Sequence, residues 1–105
     1  MVVRLVGEID LSNAGEVGGA IRSRVPNHAR ALVLDLSEVR YVDSSGLAVL
    51  FDLRRRLVSR RQELRVVVPR ESHILRVLEL VDLDATAVYE GSLEAALAEI
   101  PGPPA

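Results

Sequence analysis

Cysteine and lysine are both missing from this 105-residue sequence, so all 13 basic residues are arginine. Without cysteine, the chain has no disulfide framework and no thiolate zinc site. No segment has the pattern of a signal peptide, and no apolar run is long enough to cross a bilayer. We therefore expect a cytoplasmic protein with no membrane partner.

An excess of positive charge is also missing. The 13 arginines are set against 15 acidic residues, which gives a formal net charge of -2 at pH 7. Proteins that bind nucleic acid usually carry a basic patch or stripe that neutralises phosphates. We therefore expect no nucleic-acid partner.

The residue combinations of common catalytic sites are missing too. The two histidines, His28 and His73, have no carboxylate at metal-ligand spacing, and the sequence contains no phosphate loop of the Gly-Lys-Ser type and no assignable Ser-His-Asp arrangement. We predict that the protein is not an enzyme, binds no metal and needs no cofactor. Both histidines are interpreted as surface or turn residues.

What is present fits one α/β domain over residues 1–100, followed by a flexible tail over 101–105. Apolar or β-branched segments predict four strands, at residues 2–6, 31–36, 64–68 and 86–89. Apolar residues at helical spacing predict four helices, over residues 14–25, 43–58 and 74–81 and from Ser92 onward. This alternation predicts a mixed, mostly parallel sheet of about four strands, with the helices packed mainly on one face.

Two details of the strands can be predicted from their patterns. Residues 31–36 are apolar on both faces apart from Asp35, which is typical of a central strand that is covered on both sides. The polar segment 8–13 is expected to end the first strand, and residues 37–43 are expected to form a turn.

The second predicted helix has an apolar stripe formed by Leu47, Leu50, Phe51, Leu57 and Val58. Arg54 falls within this stripe, so we expect its stem to pack against the domain while its guanidinium reaches the rim. The neighbouring arginines are expected to face water, with Asp52 paired to Arg56 one turn further on.

This helix opens with Asp43-Ser44-Ser45-Gly46-Leu47. Two hydroxyls and a glycine thus follow a strand and begin a helix, where backbone N–H groups and the helix dipole favour a negative group such as phosphate. Aspartate and serine are also preferred helix caps, so capping is the alternative interpretation. The same plan of strand, polar turn and helix occurs at Gly7-Glu8-Ile9-Asp10.

Four motifs together resemble the STAS domain of anti-sigma factor antagonists, small bacterial regulators of alternative sigma factors. The motifs are Gly7-Glu8-Ile9-Asp10, Leu34-Asp35-Leu36, Val42-Asp43-Ser44-Ser45-Gly46-Leu47 and Leu53-Arg54-Arg55-Arg56. The resemblance covers almost the whole chain, and it implies the α/β architecture described above. It also implies that the protein binds an anti-sigma factor that is an ATP-dependent serine kinase, and that a serine phosphatase resets the modification.

The resemblance assigns the phosphorylated serine to Ser44. Its surroundings then form the predicted partner-binding surface: Asp10, Asp43, Ser45, Gly46 and Leu47. If the first two strands are parallel neighbours, their carboxyl ends bring Asp10 close to Ser44. Capping or a turn is the alternative role for Asp10, and the two roles are compatible. Gly7 and Gly46 are expected to provide unusual torsions or a close backbone approach, with Gly46 keeping the surface beside Ser44 low.

An alternative implied by the same family is a STAS module that acts as a structural or regulatory subunit of a stress-sensing assembly or transporter system, without a kinase cycle. The oligomeric state is expected to be monomer or weak dimer.

The chain also departs from the family pattern at three places. The family usually has a further strand before Gly7-Glu8-Ile9-Asp10, so we expect either a trimmed chain or a bare sheet edge. Arg60-Arg61-Gln62 and Asp82 replace glycines, and we expect shifted loops there with an unchanged fold.

Overall fold

The computed structural model describes residues 1–81 and the backbone of residues 87–90. In this part of the chain, strands and helices alternate as β1 (Val2–Ile9), α1 (Ala14–Arg24), β2 (Ala31–Val42), α2 (Ser44–Ser59), β3 (Glu63–Val68), α3 (His73–Leu80) and β4 (Ala87–Glu90). The predicted helix from Ser92, the tail 101–105 and Asp82 lie outside the described residues.

The described strands form one sheet in the order β1-β2-β3-β4, and each neighbouring pair is parallel. Parallel neighbours need a crossover connection, and α1, α2 and α3 provide it between successive strands. The prediction of an α/β domain with a mostly parallel sheet is therefore confirmed. β1 lies at one edge of the described sheet.

The core lies between one face of this sheet and the three helices. Every second side chain of the central strands belongs to the core cluster: Leu32, Leu34 and Leu36 from β2, and Leu64, Val66 and Val68 from β3. The helices contribute Ile21, Leu50, Leu53, Leu57, Ile74, Leu75 and Leu78 to the same cluster. The three helices that the structure describes all pack against this face of the sheet, so the predicted one-sided arrangement is confirmed.

The other face of the central strands is buried as well. Val33 and Asp35 are 0% and 3% exposed, so residues 31–36 are covered on both sides as predicted. Asp35 accepts hydrogen bonds from Ser37 N (3.0 Å) and Ser37 Oγ (2.6 Å), and Arg4 Nε lies 3.5 Å from its carboxylate. Burial acts to raise the pKa of Asp35, but these hydrogen bonds and the charge of Arg4 outweigh it and hold the pKa below its ordinary value.

The first two strands are longer than predicted, and the prediction of a turn over residues 37–43 is wrong. β1 runs to Ile9 and pairs with β2 as far as Val42. The register shifts between Arg4 and Val6 and again between Gly7 and Glu8, so β2 has one extra residue at each place. Because of the bulges, the core positions of β2 after Leu36 are Val39 and Val42, each three residues further on. This spacing breaks the two-residue alternation from which a strand is predicted.

Helix α2 differs from its prediction in which side chains it buries. Leu53 is 2% exposed and belongs to the core, whereas Val58 is 49% exposed and does not belong to the buried stripe. Arg54 is half-buried, as expected for a packed stem. Asp52 lies 3.6 Å from Arg55, at a spacing of three residues, so its ion pair differs from the predicted pair with Arg56.

The end of α2 explains one departure from the family pattern. Arg61 has φ of +59°, a left-handed conformation that favours glycine. Arg61 N donates to Val58 O (3.0 Å) and Gln62 N donates to Leu57 O (2.8 Å), which is the hydrogen-bond pattern of a Schellman motif. Gln62 Nε2 also donates to Pro26 O and Ala29 O, so the turn is anchored without glycine.

Helix α3 begins at His73, where the Ser72 hydroxyl caps it by accepting from Ile74 N (3.1 Å). It ends at Leu80, so Val81 lies outside the helix and is 37% exposed, contrary to its predicted place in the stripe. His28 and His73 are both exposed, in agreement with their interpretation as surface residues.

Candidate functional site

The carboxyl ends of β1 and β2 lie side by side and bring the two polar motifs together. Ile9 pairs with Val42, and Asp43 N donates to Ile9 O (3.2 Å). Asp10 begins the loop that follows β1, and Ser44 begins the helix that follows β2. The predicted juxtaposition of these two chain segments therefore follows from parallel pairing of the strands.

The Asp43 carboxylate links the two segments. Its Oδ1 accepts from Gly46 N (3.0 Å), which is the expected N-cap of α2. Its Oδ2 accepts from Leu11 N (3.1 Å), 32 residues earlier in the chain. One side chain thus caps the helix that begins with Ser44 and also fixes the loop after β1.

That loop is held by a dense set of local hydrogen bonds. The Asp10 carboxylate accepts from Ser12 N (3.0 Å) and Ser12 Oγ, and Asp10 O accepts from Ala14 N (2.8 Å). The side chain of Asn13 ties the loop to the end of β1, because its Nδ2 donates to Glu8 O (2.7 Å) and its Oδ1 accepts from Asp10 N (2.9 Å). The turn role expected for Asp10 is therefore present.

Gly46 allows the start of α2 to approach β1 closely. A Cβ added at this position would lie 2.6 Å from Ile9 O and 2.7 Å from Val42 Cγ1. The expected close approach is thus present, but Gly46 is buried against these residues. Gly46 therefore offers little surface of its own, and its part in partner binding stays a prediction. Gly7 has the expected unusual torsion, with φ of +91° at the second bulge.

The remaining predicted site residues differ in their accessibility. Ser44 is exposed at the first position of α2, while Asp10, Asp43, Ser45 and Leu47 are each half-buried. Leu47 also packs against the core cluster, so only part of its side chain is available to a partner. Of the two serines in the motif, Ser44 is therefore the more exposed.

Sequence reasoning missed Leu11. Its side chain is 81% exposed, although its backbone is fixed to Asp43. Leu11 could have been noticed in the sequence as an apolar residue between Asp10 and Ser12, in a segment that is otherwise mostly polar. That segment was interpreted only as the end of the first strand.

No helix among residues 1–81 is long and apolar enough to cross a membrane. Within the same residues, no group of three or more His, Asp or Glu side chains is arranged to hold a metal ion.

The comparisons with known proteins agree with this architecture. The family model described as "Mlab, STAS domain" matches residues 1–94. The chain is 34% identical over 102 residues to the anti-sigma-F factor antagonist RsfB of Mycobacterium tuberculosis, covering 96% of this chain and 81% of RsfB. It is also 34% identical over 64 residues to the low affinity sulfate transporter 3 of Stylosanthes hamata, covering 59% of this chain and 10% of the transporter.

A solved structure gives the same result in three dimensions. The crystal structure of an anti-sigma factor antagonist from Mycobacterium paratuberculosis superposes with a TM-score of 0.79 and 33% identity, covering 94% of this chain and 83% of the antagonist. Family match, sequence identity and fold agree over nearly the full length, and the chain belongs to the STAS domain family.

Proposed function

We propose that this protein is an anti-sigma factor antagonist whose activity is switched at Ser44. The unphosphorylated protein binds an anti-sigma factor in the cytoplasm and releases the sigma factor that it held. Phosphorylation of Ser44 by the same anti-sigma factor, acting as an ATP-dependent serine kinase, ends the binding, and a serine phosphatase restores it. The proposal is supported by relatives that are named as anti-sigma factor antagonists and cover most of this chain.

The observation that carries the switch is the position of Ser44. Ser44 is exposed at the N-terminus of a 16-residue helix, immediately after the strand end that Asp43 connects to the neighbouring loop. A phosphate at a helix N-terminus is favoured by the free N–H groups and the helix dipole. The folded domain can therefore accept the modification without unfolding.

Phosphorylation instead weakens the complex with the anti-sigma factor. A phosphoserine brings a charge of about -1.5 to -2 at neutral pH. On this surface the charge is added directly after Asp43, at the sheet edge that also carries Asp10, so a partner that fits the unmodified surface meets new negative charge and bulk. A hundredfold loss of affinity requires only about 2.8 kcal/mol, which one such group can provide.

In this mechanism the protein is a substrate and a binding partner, not an enzyme. The carboxylates of the two motifs are engaged by backbone N–H groups, with Asp43 bound to Gly46 N and Leu11 N and Asp10 bound to Ser12 N. They hold the loop and the helix in position, and the chemistry on the Ser44 hydroxyl is left to the kinase.

A second candidate function is a STAS module that regulates a transporter without a kinase cycle. The observation that favours it is the 64-residue match to the sulfate transporter of Stylosanthes hamata. That match covers a smaller share of this chain than the match to RsfB, which is why antagonism is preferred.

The test is a kinase assay with the host's purified anti-sigma-F factor and ATP, followed by mapping of the modified residue. The wild-type protein should incorporate one phosphate at Ser44, and Ser44→Ala should incorporate none. Ser45→Ala is the matched control, because it removes the adjacent hydroxyl and should leave labelling intact. Full labelling of Ser44→Ala would show that another residue is phosphorylated. If neither the wild type nor any variant is labelled, the STAS module without a kinase cycle is favoured.

A further inference from the structure

Leu11 is the one residue of the loop after β1 that combines a large apolar side chain with strong exposure among the described residues, at 81%. Exposed leucines are common on protein surfaces, and exposure alone therefore indicates little. Leu80 at the end of α3 is equally exposed, at 84%. What separates Leu11 from Leu80 is how the backbone of Leu11 is held and what lies beside it.

The loop that carries Leu11 is held by hydrogen bonds within the protein itself. Leu11 N donates to Asp43 Oδ2 (3.1 Å), and its neighbours on both sides, Asp10 and Ser12, are bonded to each other. Asn13 closes the loop onto Glu8 O. A side chain that is already presented by a fixed backbone loses less conformational entropy on binding, which is a general property of anchor residues in interfaces.

The position of Leu11 relative to Ser44 gives this anchor its context. Asp43, which accepts from Leu11 N, is the residue directly before Ser44 in the chain. The leucine and the serine hydroxyl are therefore presented from the same edge of the sheet. Both residues follow an acidic residue in the chain, with Asp10 directly before Leu11 and Asp43 directly before Ser44, and both carboxylates are half-buried.

We propose that Leu11 is the apolar anchor of the surface that binds the anti-sigma factor. The matching surface on the partner is an apolar pocket with a basic rim, because Leu11 directly follows Asp10 in the chain and its backbone N–H is bound to the Asp43 carboxylate. This inference rests on the proposed function, which it deepens by naming the residue that carries the contact and the chemistry of the pocket that receives it. It also explains how one phosphate can act strongly, since Ser44 lies next to the residue that holds the anchor in position.

The test measures binding of the host's purified anti-sigma-F factor to the unphosphorylated protein by calorimetry. Burial of a leucine side chain at an interface predicts that Leu11→Ala raises the Kd by about 10- to 100-fold. Leu80→Ala is the matched control, because it removes the same side chain from an equally exposed position and should leave the Kd unchanged. Leu11→Met keeps an apolar side chain of similar volume and should retain most of the affinity.

Each outcome has a distinct meaning. Thermal unfolding of all three variants should match the wild type, because both leucines are exposed. If the wild type binds and Leu11→Ala binds equally well, the anchor is refuted while the proposed function stands. The anchor is also refuted if Leu80→Ala weakens binding as much as Leu11→Ala. If the wild type does not bind at all, the proposed function fails and the anchor fails with it.

Discussion

Gly46→Ala tests the geometry that joins α2 to the end of β1. The added methyl group would lie 2.6 Å from Ile9 O and 2.7 Å from Val42 Cγ1, distances that real Cβ atoms essentially never show. Ile9 O belongs to a strand and accepts from Asp43 N (3.2 Å), so it cannot move without disturbing the junction of β1 and β2. The start of α2 must therefore shift away from the sheet.

The expected magnitude follows from two opposing terms. Overpacking in a closely packed site costs about 1–3 kcal/mol, and a contact with rigid backbone belongs in the upper half of that range. Replacing glycine by alanine inside a helix gains up to about 1 kcal/mol. The net loss in the free energy of unfolding should be about 1–3 kcal/mol, and for a domain of this size each kcal/mol lowers the Tm by about 4–8 °C.

Gly19→Ala is the matched control, because it makes the same change inside α1. An added Cβ there would meet only the end of the Arg22 side chain, at 3.8 Å. This variant should be as stable as the wild type or more stable by up to about 1 kcal/mol. Urea unfolding of the three proteins gives the comparison. The close-approach argument is refuted if Gly46→Ala is at least as stable as the wild type, or if both alanine variants change stability equally.

Three further predictions concern single residues. Arg61→Gly should raise the free energy of unfolding by up to about 1 kcal/mol in urea unfolding, because φ of +59° favours glycine; a loss of stability would contradict this account. Asp10→Asn should change stability by less than about 0.5 kcal/mol, since an amide oxygen can still accept from Ser12, but it should weaken binding of the anti-sigma factor in calorimetry; equal binding would reduce Asp10 to a turn residue. The lowered pKa of Asp35 contributes stability that is fully present above its ordinary value of 3.8 and is lost as the pH falls through that value and the lower folded pKa. Asp35→Asn should therefore show a weaker loss of stability in acid than the wild type in unfolding experiments across this range, and identical acid dependence would contradict the assignment.

The sequence was sufficient to predict the order of elements, because the signals involved are local. Helical spacing identified α1, α2 and α3, and apolar runs identified the central strands. It failed over residues 37–42, where two bulges displace the buried positions from Leu36 to Val39 and then to Val42. Bulges depend on pairing with β1, and pairing between distant segments leaves no periodic signal in one strand.

The candidate site was predictable in its location and less so in its contacts. The Asp43 cap follows from residue type and position, and parallel pairing explains why Asp10 follows the neighbouring strand. The bond from Leu11 N to Asp43 connects residues 32 positions apart and has no local signature. The burial of Gly46 was missed for the same reason, since the atoms that surround it belong to Ile9 and Val42.

The most direct test of the switch compares unphosphorylated protein with protein fully phosphorylated at Ser44. The measurement is the Kd for the anti-sigma factor of the proposed switch, by calorimetry at one ionic strength. The account predicts a loss of about 100-fold or more, equivalent to about 2.8 kcal/mol, with both forms folded by circular dichroism. Equal affinity of the two folded forms would contradict the account.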